Sequence, residues 1–233
     1  MFSVREQSLP TRSNLKKWGW TPTHYCRHCT TAERIANGTA AVETTDHITS
    51  GCVDRFGMSL YTERQDQICT YIRQRILKSV GKEASPRWRT HKPAATTDLG
   101  EDGVLFWDRS WRGDYHLPHN KPDIVWQRRE EVLVIEVGCP LDKNVVATEE
   151  VKSSKYGKLN NELYKQFGKT TVTVPIVVGN TGVITEKFQA YVEQLEIGAQ
   201  AHVIQKIATR VAVMIAKNLT CTKKKATKNQ TNL

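Results

Sequence analysis

Two carboxylates, Asp123 and Glu136, and the three polar groups that follow them, Lys152, Lys155 and Tyr156, are the residues of this sequence best suited to catalysis. In the run VLVIEV, period-two alternation sets Val132, Val134 and Glu136 on one face of a strand and Leu133, Ile135 and Val137 on the other. A carboxylate in so apolar a strand is costly unless a cation or a hydrogen-bond donor meets it. Asp123 opens the preceding strand run, DIVW, and Arg128 to Glu131 supply a turn between the two, so a hairpin brings both acids together. Lys152, Lys155 and Tyr156 fall at i, i+3 and i+4 of the next helical stretch and share one face. Two acids converging with a lysine suit phosphodiester hydrolysis. The acids hold Mg²⁺ or Mn²⁺, which activates water and offsets charge on the leaving oxygen, and the ammonium stabilises charge that develops in the transition state. Taken one at a time, these residues have structural readings: Asp123 as a turn residue after Pro122, Glu136 paired to an arginine, the lysines as a solvated helix face.

A second constellation lies upstream. Cys26-x2-Cys29-x17-His47-x4-Cys52 offers four ligands of the types that a tetrahedral structural Zn²⁺ takes, with His24 and His28 as competing ligands. The remaining thiols, Cys69, Cys139 and Cys221, are scattered, so six cysteines point to metal ligation rather than to a secreted disulfide framework. A filled site stabilises a segment too poor in apolar residues to fold alone, and leaves Arg27, Arg34 and Arg55 to face phosphate.

Five segments position these groups: 1–55, polar and turn-rich, with the knuckle; 56–80, an amphipathic helix; 81–102, a linker; 103–217, the domain with the carboxylates; and 218–233, a basic tail expected to be disordered. Leu60, Ile68, Tyr71, Ile72 and Ile76 give the helix its apolar face, and Arg64, Arg73, Arg75 and Lys78 decorate it. Gly81, Pro86, Pro93 and Gly100 mark the linker as loop. Strands are expected at 104–107, 123–126, 132–137 and 172–178. One helix is expected from Thr148, as N-cap with Glu149 and Glu150 in its first turn, to Phe167. Two more carry Phe188 to Leu195 and Val203 to Met214. The fold class is therefore α/β, a small mixed sheet flanked by helices.

The order of Asp123, Glu136 and lysine resembles the PD-(D/E)xK nuclease superfamily. More closely, NKPDIVW, VIEVGCPLDKNV, EEVKSSKYGKL and VPIVVGNTGVI, with TTDHITSGC and YTERQD upstream and WDRS and IQKIATRVAVMIAKNL flanking, resemble the zinc-knuckle and restriction-like endonuclease region that closes many LINE-type (non-LTR) retrotransposon polyproteins. The likeness runs over most of residues 4–219. It implies a restriction-endonuclease-like fold, the metal on Asp123 and Glu136, Lys152 or Lys155 as the catalytic lysine and Tyr156 in support. Glu136 stands where that family often has Asp, Gln65 where it often has His, and Gly138 where an ExK motif has its lysine, a position normally vacant in that family too.

The resemblance implies an endonuclease that nicks target DNA so that a free 3′ hydroxyl primes reverse transcription, in the nucleus, as part of a polyprotein whose polymerase is not among these 233 residues. The competing expectation is an inactive remnant that binds DNA or the element's RNA through knuckle, arginine-bearing helix and tail. A third is a junction-resolving or repair nuclease. With 34 Lys and Arg against 24 Asp and Glu, the formal charge of +10 suits a polyanionic partner. The short apolar runs give no expectation of a membrane. Oligomeric state is left open.

Overall fold

The computed structural model describes residues 8–85 and 93–220, and they fall into two compact units. One holds the described parts of Met1–Met58 and Ala212–Leu233, the other Ser59–Val211.

The larger unit is built on a five-stranded mixed sheet in the order β1 (Thr96–Asp98), β2 (Val104–Trp107), β3 (Ile124–Gln127), β4 (Glu131–Gly138) and β5 (Thr170–Val177). The first four strands pair antiparallel, and β5 runs parallel to β4. The β3–β4 hairpin closes where the Arg128 amide donates to the Glu131 carbonyl at 2.8 Å. A parallel return needs a crossover, and two helices supply it, Val145–Lys155 and Gly157–Phe167.

Val132 and Val134 project into a core formed with Phe106, Trp111, Leu117, Val125, Tyr156, Leu159 and Leu163. Leu133, Ile135 and Val137 on the other face are fully buried too. A strand covered on both faces reads as an almost unbroken apolar run, which is what VLVIEV is.

Several expectations need correcting. The helix expected over 148–167 is two helices that break at Tyr156, and the first starts three residues before Thr148. Asn144 holds its N-cap position without a side-chain cap bond, so neither Thr148 as cap nor Glu149 and Glu150 in the first turn is observed. Asp142 explains the early start. It opens a 3₁₀ turn over Asp142–Asn144, and its carboxylate accepts from the Thr181 amide at 3.0 Å and from the Thr181 hydroxyl. Asn180 returns the lock through its Oδ1, which accepts from the Asp142 amide at 3.2 Å. The PLDKNV and VVGNTG motifs are thus two halves of one clasp. The linker expected over 81–102 includes β1 and a 3₁₀ turn at Gly100–Asp102. Residues 218–220 are the last turn of the helix Ala201–Thr220, whereas the rest of the expected tail, with Cys221, Lys223, Lys224, Lys225 and Lys228, lies outside the described residues.

Three arginines on the helix Arg55–Ser79 are structural rather than decorative. Arg64 is 2% exposed and donates to the Cys139 carbonyl at 2.9 Å, just beyond the end of β4. Arg73, also buried, reaches the Thr97 hydroxyl, and Arg75 the Ile197 carbonyl. Among the described residues no helix is long and apolar enough to cross a membrane.

Candidate functional sites

The β3–β4 register pairs Ile124 with Ile135, and one further step sets Asp123 beside Glu136. The two acids meet: the Asp123 amide lies 3.4 Å from Glu136 Oε2, and Asp123 Oδ2 accepts from the Val137 amide at 2.7 Å. On the Val132–Val134 face, Glu136 points toward the crossover helices, and three donors converge on it. Lys152 Nζ lies 2.7 Å and Lys155 Nζ 2.8 Å from Oε1, and the Tyr156 hydroxyl donates to Oε2 at 2.9 Å. All five expected residues are brought together. Tyr156 reaches the cluster because the helix ends at Lys155, which turns its ring into the core.

Gly138 leaves room for a side chain from the crossover helix. A Cβ placed there would meet Lys152 Cε at 2.7 Å and Cδ at 3.2 Å. The methylenes of Lys152 fill the space a side chain at 138 needs, so one lysine occupies the place that the strand leaves empty.

Charge in the cluster is finely set. Burial raises the Asp123 carboxyl to about 6, with the neighbouring Glu136 charge adding to the shift and the Val137 amide working against it. Burial also pushes Glu136 up, but the charges and hydrogen bonds of Lys152 and Lys155 outweigh it and hold Glu136 below its usual range. Tyr156 is pushed up, by burial first and then by Glu136, and so stays a proton donor to the carboxylate.

Sequence reasoning did not assign Gln65 a role. Its amide nitrogen donates to both oxygens of Asp123, at 3.0 and 3.2 Å. The available signal was positional: Gln65 lies three and four residues before Ile68 and Cys69, on the stripe of the helix that is buried, where a polar side chain needs a partner. Arg64 has the same relation to Leu60 and Ile68. His119, exposed, sets its ring 6.4 Å from that of Tyr156.

In the smaller unit the sulfurs of Cys26, Cys29 and Cys52 and a ring nitrogen of His47 lie within 4.8 Å of one another, a cluster able to bind a metal ion such as zinc. Cys26 and Cys52 are 3.8 Å apart at sulfur, and Cys29 Sγ is 3.3 Å from His47 Nε2. Tetrahedral bonds of ~2.3 Å to sulfur and ~2.1 Å to nitrogen set such ligand atoms roughly 3.5–3.8 Å apart, so the donor set fits. The hydrogen bond from Cys52 draws the Cys26 thiol down to about 3, while Cys29 is raised by burial and Cys52 by its bond to Cys26. A divalent ion binds such a set by displacing thiol protons. His24 and His28 are not members of the cluster: His24 bonds Lys16 and His28 the Leu219 carbonyl.

Glu43 organises the chain around this cluster. Fully buried, it accepts from the backbone amides of Arg12 and Arg27 and holds the Arg27 guanidinium at 2.6 Å. The Val42–Tyr25 bridge lies beside it. Arg27 is therefore committed to the fold, and Arg34 donates to the Cys29 carbonyl at 2.7 Å. The expectation that Arg27 and Arg34 face phosphate gives way to a structural role for both, because a buried carboxylate and a bare carbonyl claim them first.

No protein-family model matches the chain, and no curated protein matches it either.

Proposed function

We propose that the larger unit is a divalent-metal-dependent DNA endonuclease with a restriction-endonuclease-like fold, and that the chain corresponds to the zinc-knuckle and endonuclease region of a LINE-type retrotransposon polyprotein. The observation that carries the reading is the convergence of Asp123, Glu136, Lys152, Lys155 and Tyr156 from two strands and a crossover helix. A buried acid and a half-buried one, close enough for one to lift the other's pKa, form a site where a hard cation is welcome. Asp123 and Glu136 hold that ion, Mg²⁺ or Mn²⁺. When bound, it supplies an activated water and neutralises charge on the scissile phosphate.

The chain's own side chains do the rest. Gln65 and the Val137 amide orient Asp123. Lys152 and Lys155, each carrying donors beyond the bond to Glu136, stabilise negative charge on the phosphoryl oxygens as water attacks phosphorus and the bond to O3′ breaks. The products are a 5′ phosphate and a free 3′ hydroxyl, and the latter primes reverse transcription in the nucleus. In the smaller unit, Zn²⁺ on Cys26, Cys29, His47 and Cys52 holds the knuckle, with DNA or the element's RNA as partner.

One observation favours a second reading, a catalytically inactive nucleic-acid-binding remnant. Glu136 is already satisfied by two ammonium groups and a phenol, so the cluster is stable as a structural ion network. A plasmid-nicking assay with and without Mg²⁺, on the wild type and on Asp123→Ala, decides between them. Mg²⁺-dependent nicking lost in the variant while DNA binding survives is the expected result. No nicking in either protein supports the remnant, and equal nicking in both removes Asp123 from the chemistry.

A further inference from the structure

The helix Arg12–Lys17, in the smaller unit, ends in a short segment that neither metal cluster uses. Thr11 caps its start, its hydroxyl accepting from the Asn14 amide. At its end the Trp18 amide bonds Asn14, Gly19 bonds Lys16 and Trp20 bonds Leu15, at 2.8 to 3.0 Å. Gly19 takes φ +77°, a left-handed conformation that glycine adopts without penalty and that reverses the chain between two tryptophans. The turn is thus held by backbone bonds, and what it displays is unusual. Trp18 is 48% exposed and Trp20 76% exposed, with ring centroids 5.7 Å apart at 67°. Lys16 and Lys17, immediately before them, are exposed as well.

Tryptophan is among the costliest side chains to leave in water, and two side by side on an ordered turn make an apolar patch that calls for a partner. The charge around it says which. Between Ser8 and Ala32 there is no acidic residue, while Arg12, Lys16 and Lys17 supply positive charge. Indole faces next to ammonium groups match a ligand that alternates flat aromatic groups with anions, which is the pattern of an unpaired nucleic-acid strand. In a duplex the base faces are already stacked on one another and only edges and phosphates are open, so the two rings would find nothing to stack on.

We infer that Trp18 and Trp20, with Lys16 and Lys17, form a stacking platform for single-stranded nucleic acid. Bases lie on the indole faces, and the lysines meet the phosphates on either side. The site is distinct from the four metal ligands and from the carboxylate cluster. It stands whether or not the larger unit cleaves DNA.

The test uses the full, zinc-loaded chain and three labelled probes of equal length: an oligodeoxythymidylate, an oligouridylate and a DNA duplex. Wild type is compared with Trp20→Ala, with Trp18→Ala/Trp20→Ala and with the conservative Trp20→Phe. Trp20 is largely exposed and Trp18 about half exposed, and neither is a metal ligand, so zinc content and far-ultraviolet dichroism should not change. Each Trp→Ala replacement is expected to weaken single-strand binding by about 5- to 150-fold, Trp20→Phe to recover most of the loss, and duplex affinity to change by less than about 2-fold. Indole fluorescence should fall on adding either single strand, and preference between the two strands tells DNA from RNA. Unchanged single-strand affinity in the double variant overturns the inference, as does an equal loss on duplex and single strand. Retention on phosphatidylserine vesicles that vanishes in the double variant, with oligonucleotide binding unaltered, reassigns the patch to a membrane surface and overturns it too.

Discussion

The carboxylate cluster and the thiol cluster are both gatherings of side chains that are costly to bring together, yet they meet that cost in opposite ways. Around Glu136 the chain brings its own countercharge: two ammonium groups at 2.7 and 2.8 Å and a phenol at 2.9 Å. Around Cys26 the chain brings more ligands, three soft sulfurs and an imidazole, with backbone amides such as that of His28, 3.5 Å from the Cys26 sulfur, beside them. Carboxylates can be neutralised by lysine, whereas converging thiols bind an ion that displaces their protons and balances the thiolate charge. The first cluster therefore holds its geometry ahead of any cation, and the second is a donor set that a metal ion such as zinc would complete.

Removing the ion from the second cluster is the strongest way to break the comparison. Structural zinc supplies on the order of 10 kcal/mol to small domains of this type, so chelation, or Cys52→Ser, should unfold the smaller unit. Limited proteolysis should then cut within residues 8–58 while the sheet in 59–211 stays protected, and metal analysis of the untreated chain should return one zinc. A knuckle that resists proteases equally with and without metal would leave the contrast without basis.

Next in size is a pair of variants with opposite signs. Glu136→Ala strips two lysines of their shared partner, and breaking a buried ion pair from one side costs about 3–5 kcal/mol. Asp123→Asn should stabilise. The Asp123 carboxyl, near 3.8 when unfolded and about 6 when folded, favours folding when protonated, so its burden grows as pH rises from 3.8 to 6 and is complete above that. The span corresponds to about 3 kcal/mol, an upper figure that Asn recovers near neutral pH and not in acid. Glu136, held low, behaves in reverse: its contribution is present above its unfolded value of 4.5 and is lost as pH falls. Urea unfolding of both variants from acid to neutral pH, without added Mg²⁺, reads the two signs. Two losses of equal size would show the acids to be equivalent.

The smallest effect sharpens the lysine assignment. Gly138→Ala puts a methyl 2.7 Å from Lys152 Cε, a clash that a flexible lysine relieves by moving. The fold should lose no more than about 1–3 kcal/mol, while nicking by a protein that relies on Lys152 drops at least tenfold with DNA affinity intact. Undiminished nicking would shift the role to Lys155.

Much of this was legible in the chain itself. Period-two alternation in VLVIEV placed Glu136 on the same face as Val132 and Val134, and spacing alone put Lys152, Lys155 and Tyr156 together, because both are local consequences of backbone geometry. The four zinc-type ligands were equally plain, since spacing and residue type are the whole of that signal. The helix break at Tyr156 and the early start set by the Asp142 clasp were missed because both rest on partners distant in sequence, whereas the three-residue strand Thr96–Asp98 was hidden by its brevity and its polar composition, although it pairs with the neighbouring β2. The arginines of the long helix misled for a related reason. A cation on an amphipathic helix looks solvated until a carbonyl such as that of Cys139 is brought to it.

By itself, the order of residues determined which side chains were available and which shared a strand face or helix face, since those follow from the rise and turn of a single element. Only tertiary structure decided that Gln65, from a helix nearly sixty positions upstream, would brace Asp123, and that Arg27 would belong to Glu43 instead of to a phosphate. Buried polar groups take whichever partners the assembled elements deliver, and no local pattern records which partner arrives.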